Sequence, residues 1–498
     1  MTPFQLPIPL ILQLCFLCVF TIGCAPKPPT TDRPNIILIY ADDLGIGETE
    51  PYGQEKIRTP HLSKMAAEGM RFLQHYSGAP VCAPARAILL TGKHAGQSAI
   101  RGNYGLGGFA DSTEAGQMPL PAGTFTMAHL LQRAGYATAA IGKWGLGMHD
   151  NEGSPNNQGF DYFFGYLDQK QAHNYYPTHL WENASRFPLN NPERNVHQHV
   201  DTMQAASLKF DSFKGEDYAP EFMTEKALEF IDGHRSEPFF LYLPYTLPHL
   251  SLQIPDQYVE QYIKEFDDQP YDGQDGYVPH RYPRAAYAAM ITYLDSQVGR
   301  IITHIKSLGL DDNTLILFTS DNGAAFNGGV DYRYFNSVGT YRGHKMDVFE
   351  GGIKIPLIAR WPGQITPGKV SDHLSAQYDV LVTFAELVGQ TVDDTNGISF
   401  LPTLLGKGKQ ARHDFLYFEY PEKGGQLAVR LQRWKGVKLD LRKNPQAHWQ
   451  LYDLQNDPRE QHDVAAENPE ILKRLDSVVR QEHQPASVEN WNFIKTAP

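Results

Sequence analysis

The chain has 498 residues, 41% hydrophobic and 20% charged, with a formal net charge of -12. That length can bury a large core and leaves room for two or three domains, and the ordinary composition excludes a disordered chain and a polytopic membrane protein. The negative balance, with no dense Lys/Arg run, excludes nucleic acid as a partner.

Residues 1–24 read as an export signal. No charged side chain occurs from Met1 to Gly23, and Leu10, Ile11, Leu12, Phe16, Leu17, Val19 and Phe20 form an apolar run. Pro7 and Pro9 count against a simple membrane-spanning helix. The run ends Thr21-Ile22-Gly23-Cys24, which is similar to a bacterial lipoprotein cleavage box and makes Cys24 the expected lipid acceptor. Residues 25–33, proline-rich from Ala25 to Thr31, would tether the folded body away from a membrane surface. The expected location is therefore exported, periplasmic or cell-surface, as a bacterial lipoprotein. Cys15 and Cys18 fall in the signal, so Cys82 is left alone in the folded part. A solitary cysteine cannot form a disulfide within the chain and is either a buried filler or a functional group.

Asn35 to Tyr40 is a continuous apolar run, the pattern of a strand buried on both faces, and it stops at Asp42-Asp43. Further strands are predicted at Ala137 to Ile141, Phe239 to Leu243, Thr314 to Thr319 and Ile355 to Ala359. The fourth of these runs into Asp321-Asn322-Gly323. A helix is predicted from Arg284 to Leu308, where Tyr287, Ile291, Leu294, Val298, Ile301, Ile305 and Leu308 recur every three or four residues. Strands alternating with helices predict an α/β fold, a doubly wound and mostly parallel sheet, over residues 34–410. Ligands of such sheets gather beyond the carboxyl ends of the strands, where both acidic pairs lie. After residue 410 the texture changes to short strands, Phe415 to Glu419, Leu427 to Leu431 and Trp434 to Leu439, then a helix near Glu470 to Gln481. A small C-terminal α+β subdomain is expected over 411–498.

Pro80-Val81-Cys82-Ala83-Pro84-Ala85-Arg86-Ala87-Ile88-Leu89-Leu90-Thr91-Gly92 places Cys82 just before a predicted helix at Ala85 to Leu90. The positive N-terminal end of that helix suits an anion. Here the sequence resembles the formylglycine-dependent sulfatases of the alkaline phosphatase superfamily, whose maturation motif C-x-P-x-R stands as Cys82, Pro84 and Arg86. The resemblance extends over roughly residues 34–465. It includes Arg58-Thr59-Pro60-His61-Leu62, Gly135 to Trp144, Pro248-His249, Ser320 to Gly323, Lys345 with Phe349-Glu350-Gly351-Gly352, and Leu451 to Pro458.

Asp42, Asp43, Asp321 and Asn322 supply only oxygen ligands, the set a hard divalent cation prefers to zinc. Their bland reading is capping of the helices that follow each strand. The resemblance implies Ca2+, with Mg2+ next, completed by the group made from Cys82. It further implies that a sulfatase-maturing enzyme oxidises Cys82 to formylglycine, and that one hydroxyl of the hydrated aldehyde attacks sulfur while the other later expels sulfate. Carried over, Arg86 would hold the diol, Lys143 and Lys345 would neutralise sulfuryl oxygens, and His249 would protonate the leaving oxygen. One departure is Gly142-Lys143-Trp144-Gly145-Leu146-Gly147, where the family often has His at the position of Gly145. That histidine usually contacts the diol, and its duty of helping to deprotonate the diol for sulfate expulsion would pass to His149, His94, His173 or water, with His149 and His173 the expected substrate-binding pair; the sequence does not choose among them.

A sulfated carbohydrate is the expected substrate. Phe160 to Tyr166, His173 to Pro177 and Trp181 lie in a segment without clean periodicity, and they are either aromatic platforms for sugar rings or core. The competing functions are a phosphoesterase of the same superfamily, separated by matched sulfate and phosphate esters, and a noncatalytic protein binding sulfated glycans at the cell surface, separated by whether sulfate is released.

Overall fold

The computed structural model describes Met1 and residues 33–107, 109–110, 113–197 and 210–495. The expected signal, the tether and Cys24 lie outside the described residues, among which no helix is long and apolar enough to cross a membrane. Seven consecutive buried residues, Asn35–Ala41, form strand β1. Ile37, Ile39 and Ala41 pack into one apolar cluster and Ile36, Leu38 and Tyr40 into another, because successive side chains of a strand point to opposite faces. A strand with two buried faces needs helices on both sides.

The other strands of this sheet are β2 (Met70–Phe72), β3 (Ala137–Lys143), β4 (Tyr162–Tyr166), β5 (His179–Glu182), β6 (Ser185–Pro188), β7 (Phe239–Pro244), β8 (Thr314–Ser320), β9 (Leu357–Arg360) and β10 (Lys369–Ser371). Their order is β10-β2-β9-β8-β1-β7-β3-β4-β5-β6. The centre, from β8 to β4, is parallel. Antiparallel pairs flank it, β9 on β8 and β2 on one side, β5 and β6 on the other. The strand predicted from Ile355 starts two residues later and runs against its neighbour. Helix α1 (Pro60–Glu68), α3 (Ala219–Gly233) and α4 (Pro283–Ser307) cover one face, and α2 (Cys82–Thr91) and α5 (Asp379–Leu387) cover the other. α4 matches its predicted periodicity, with Tyr287, Ile291, Leu294, Val298, Ile301 and Ile305 in the core, and it opens on a proline whose missing N–H costs nothing there.

In the segment from Phe160 to Trp181 the structure decides between the two readings left open by the sequence. This segment contributes β4 and β5, and Phe163, Phe164, Tyr166 and Tyr175 are fully buried. These aromatics are core, so the platform reading fails for them; short strands flanked by turns hide from a periodicity search.

The C-terminal subdomain is an antiparallel sheet of β11 (Leu416–Tyr420), β12 (Gln426–Leu431), β13 (Trp434–Lys438) and β14 (Gln450–Asp453), with α6 (Pro469–Glu482) packed against it. Lys435 on β13 is wholly buried and lies 3.0 Å from Glu350 and 2.9 Å from Glu460. Glu350 also accepts from Tyr76 at 2.5 Å, and its backbone N–H donates to Glu460 at 2.8 Å. The Phe349-Glu350-Gly351-Gly352 run and the chain just beyond Pro458 thus form the seam between the two sheets. Lys435→Ala would leave two buried carboxylates facing each other without their closest cation, and is expected to lower the unfolding free energy by about 3–5 kcal/mol in a denaturant titration.

Candidate active site

Parallel pairing brings Ala41 opposite Ser320, so Asp42-Asp43 and Asp321-Asn322 leave the sheet side by side. Three backbone bonds hold them: Asp42 N–H donates to Leu247 C=O at 2.9 Å, Asp321 N–H to Ala41 C=O at 3.0 Å, and Asp43 N–H to Asp321 Oδ1 at 2.9 Å. Asp43 has φ 64, a left-handed turn that Asp tolerates better than most residues. Cys82 is the first residue of α2, not a residue preceding it, because the chain is still extended at Val81. Its Sγ lies 3.5 Å from Asp42 Oδ1 and 3.9 Å from Asp43 Oδ1.

One helical turn on, Arg86 reaches Asp321 Oδ2 at 3.1 Å and Asp42 Oδ2 at 3.3 Å, and donates to Lys143 C=O at 2.7 Å. Lys143, at the end of β3, places Nζ 2.6 Å from Asp42 Oδ2. Lys345 places Nζ 2.7 Å from Asp43 Oδ2 and 3.0 Å from His249 Nε2. His249, in the loop after β7, donates from Nδ1 to Leu250 C=O at 2.6 Å, which turns Nε2 toward Lys345 and Asp43. Asn322 donates to Asp43 Oδ1 at 2.8 Å. Every residue assigned to the centre from its motif therefore converges on one buried cluster.

Burial sets the electrostatics. It opposes ionisation of Asp42, but Lys143, His249, Arg86 and Lys345 hold that carboxyl well below its usual range. Burial and then Asp42 push Asp321 well above its usual range, as expected for a buried carboxyl beside a second one that is held ionised. Burial works against the Lys143 and Lys345 ammoniums, yet Asp42 and Asp43 respectively hold them up. The Cys82 thiol is pushed up by burial, so it stays protonated and is a poor nucleophile as it stands. Burial and Lys345 push His249 down to about 4.

The donor set fits a hard divalent cation. Asp42, Asp43, Cys82 and His249 offer ligand atoms within 4.8 Å of one another. Asn322 Oδ1 is buried without a hydrogen-bond partner, a state that costs about 1–3 kcal/mol and that a cation would relieve. Three clustered carboxylates point the same way.

The structure discriminates among the candidate histidines. His94 is bound to Glu482 at 2.9 Å and packs at a tilt against Tyr417, in the seam with the C-terminal subdomain. His149 is exposed and lies flat on Trp181, ring centroids 4.3 Å apart. His173 stacks on His249 at 4.5 Å, and its charged form is disfavoured by burial, then by His249 and Lys143. His173 is thus the one of the three that joins the cluster. Gly145 has φ +75, and a Cβ there would come within 2.6 Å of Gln169 Cγ; the place of the histidine often found in the family is filled by Gln169. His197, 3.0 Å from His173, and Tyr277 beside both were not found from sequence. No motif marks them.

Residues 34–390 match the sequence model of the family described as Sulfatase, and residues 341–484 match that described as N-sulphoglucosamine sulphohydrolase, C-terminal. The chain is similar to arylsulfatase A of Bos taurus, 31% identical over 499 residues that cover 93% of this chain and 90% of that protein. It is similar to N-acetylgalactosamine-6-O-sulfatase of Bacteroides thetaiotaomicron, 29% identical over 518 residues that cover 90% of this chain and 93% of that protein. Among solved structures it resembles Ps i-CgsB in complex with k-i-k-neocarrahexaose, with a TM-score of 0.74, 26% identity and coverage of 93% of this chain and 96% of that chain.

Proposed function

The chain belongs to the sulfatase family of the alkaline phosphatase superfamily and hydrolyses sulfate esters, and from that premise we propose that its substrates are sulfated carbohydrates and its nucleophile a formylglycine made from Cys82. The observation that carries the chemistry is Cys82 itself, buried at the first turn of α2, within 4 Å of two carboxylates and one turn from Arg86. A sulfatase-maturing enzyme would read Cys82, Pro84 and Arg86 in the unfolded chain, before burial closes the site. The carbohydrate assignment is supported by the names of similar proteins, an N-acetylgalactosamine-6-O-sulfatase and a structure holding a neocarrahexaose. Export as a lipoprotein tethered through Cys24 would bring the enzyme to extracellular glycans.

Asp42, Asp43, Asp321 and Asn322 would hold a divalent cation, Ca2+ before Mg2+, which supplies positive charge against the sulfate oxygens. Formylglycine supplies, when hydrated, a hydroxyl nucleophile in place of a protonated thiol. The other residues bind and move protons. Arg86 keeps Asp42 and Asp321 in register and orients the group at position 82. Lys143 and Lys345 stand within 3 Å of the carboxylates on either side, placed to shift onto sulfuryl oxygens as charge redistributes. His249 presents Nε2 for protonating the leaving alcohol. Burial and then Lys345 push its pKa down to about 4; an anionic sulfate beside the ring would favour the imidazolium and oppose that shift.

The test is a panel of sulfated mono- and oligosaccharides compared with an activated aryl sulfate, read as kcat/KM for sulfate release. Efficient release from at least one sugar is expected. Turnover confined to the aryl ester would overturn the carbohydrate assignment and leave the enzyme a sulfatase.

A further inference from the structure

His249 has one fixed edge, because its Nδ1 donates to Leu250 C=O at 2.6 Å, an oxygen that can only accept. Its other nitrogen, Nε2, lies 3.0 Å from Lys345 Nζ, a group placed to shift onto the substrate, and the Nδ1 bond alone would let the imidazole swing, whereas proton transfer tolerates little error in direction. The His173 ring closes one face of His249, nearly parallel at 13° with centroids 4.5 Å apart. His173 is in turn held edge-on by His197, Nδ1 to Nε2 at 3.0 Å. Tyr277 packs against both rings, at 5.9 Å and 5.5 Å.

The backbones that carry these rings are knitted together as well. Ser251 N–H donates to His173 C=O at 3.1 Å. Tyr175 OH donates to the carbonyls of Thr246 and His249, each at 2.7 Å, and Tyr175 N–H donates to Gln253 Oε1 at 3.0 Å. The turn that ends at His173 therefore cannot move without the loop that bears His249.

We infer that His173 and His197 are positioning residues that fix the ring of His249 for proton delivery to the leaving oxygen. This rests on the reading of His249 as the general acid. His173 and His197 act through the ring they pack against, and their effect scales with how much protonation the leaving group needs.

The experiment uses mature, metal-loaded enzyme and a series of sulfate esters running from alkyl alcohols to activated phenols. His249→Ala is expected to slow alkyl esters far more than activated aryl esters. His173→Ala should reproduce that slope in part, losing roughly 10-fold to 100-fold in kcat on alkyl esters, little on activated aryl esters and little in KM. His173→Phe keeps a flat ring over His249 but not the bond to His197, and should recover part of the loss, the remainder measuring what the bond to His197 adds; the recovery also shows that the fold tolerates change at this position. The His173→Ala/His249→Ala double variant should be no slower than His249→Ala alone. Equal losses across the ester series for His173→Ala, a pure KM effect, or additivity in the double variant would overturn the positioning role while a steep His249→Ala slope kept the acid assignment. A flat slope for His249→Ala would overturn both.

Discussion

Cys82→Ala is expected to abolish sulfate release, with a loss on the order of 10^4-fold or more, because it removes the group on which bond formation depends. Stability should change little. The side chain is small, sits at the first position of α2, and donates no strong hydrogen bond beyond its long contacts to Asp42 and Asp43; its removal is expected to cost about 1 kcal/mol. The thiol is pushed up by burial, so an unmodified Cys82 would be mainly protonated near neutral pH and a poor nucleophile. Mass spectrometry of the peptide spanning 80–92 from the native host should therefore find an aldehyde in the active fraction. Fully active protein carrying an unmodified thiol at every site would sink the mechanism.

Asp321→Ala is expected to have a comparable effect, roughly 10^3-fold or more on turnover, for a different reason. Asp321 accepts from Arg86 at 3.1 Å and from the Asp43 backbone N–H at 2.9 Å, so it shapes the turn that presents Asp42 and Asp43 as well as lending its own oxygen. Removing it takes away a carboxyl that a bound cation would draw into its ionised form, and leaves Arg86, Lys143 and Lys345 facing only Asp42 and Asp43, a balance that disfavours a divalent ion. Calorimetric titration with Ca2+ should show binding to the wild-type protein and its loss in the variant, independent of turnover. Chelation of the wild type should remove activity, and added Ca2+ should restore it. Undiminished turnover in rigorously metal-free protein would contradict the assignment.

Much of this was legible in the chain because it depends on local chemistry. The run from Ile36 to Ala41 is apolar at every position, which is possible for a strand only if both faces are buried, and it ends where two acidic residues begin. The thirteen residues from Pro80 to Gly92 are contiguous, so a maturation motif and the start of a helix can be read together. The same reasoning failed from Phe160 to Trp181, where β4 and β5 are short and their aromatics serve the core. It missed His197 and Tyr277, whose importance lies in the rings they touch.

By itself the sequence determined which chemical groups the enzyme owns: a single cysteine beyond residue 24, oxygen ligands at two strand ends, two lysines and a set of histidines. Such groups announce themselves through neighbours a few bonds away. Tertiary structure decided which of them meet. Lys143 and Asp42 are 101 residues apart and Lys345 and Asp43 are 302 apart, yet each pair closes to less than 3 Å. Among three candidate histidines, packing put His173 on His249, sent His149 to the surface against Trp181 and locked His94 to Glu482. A side chain's direction is set by what fills the space around it, and that space is lined by residues from distant parts of the chain.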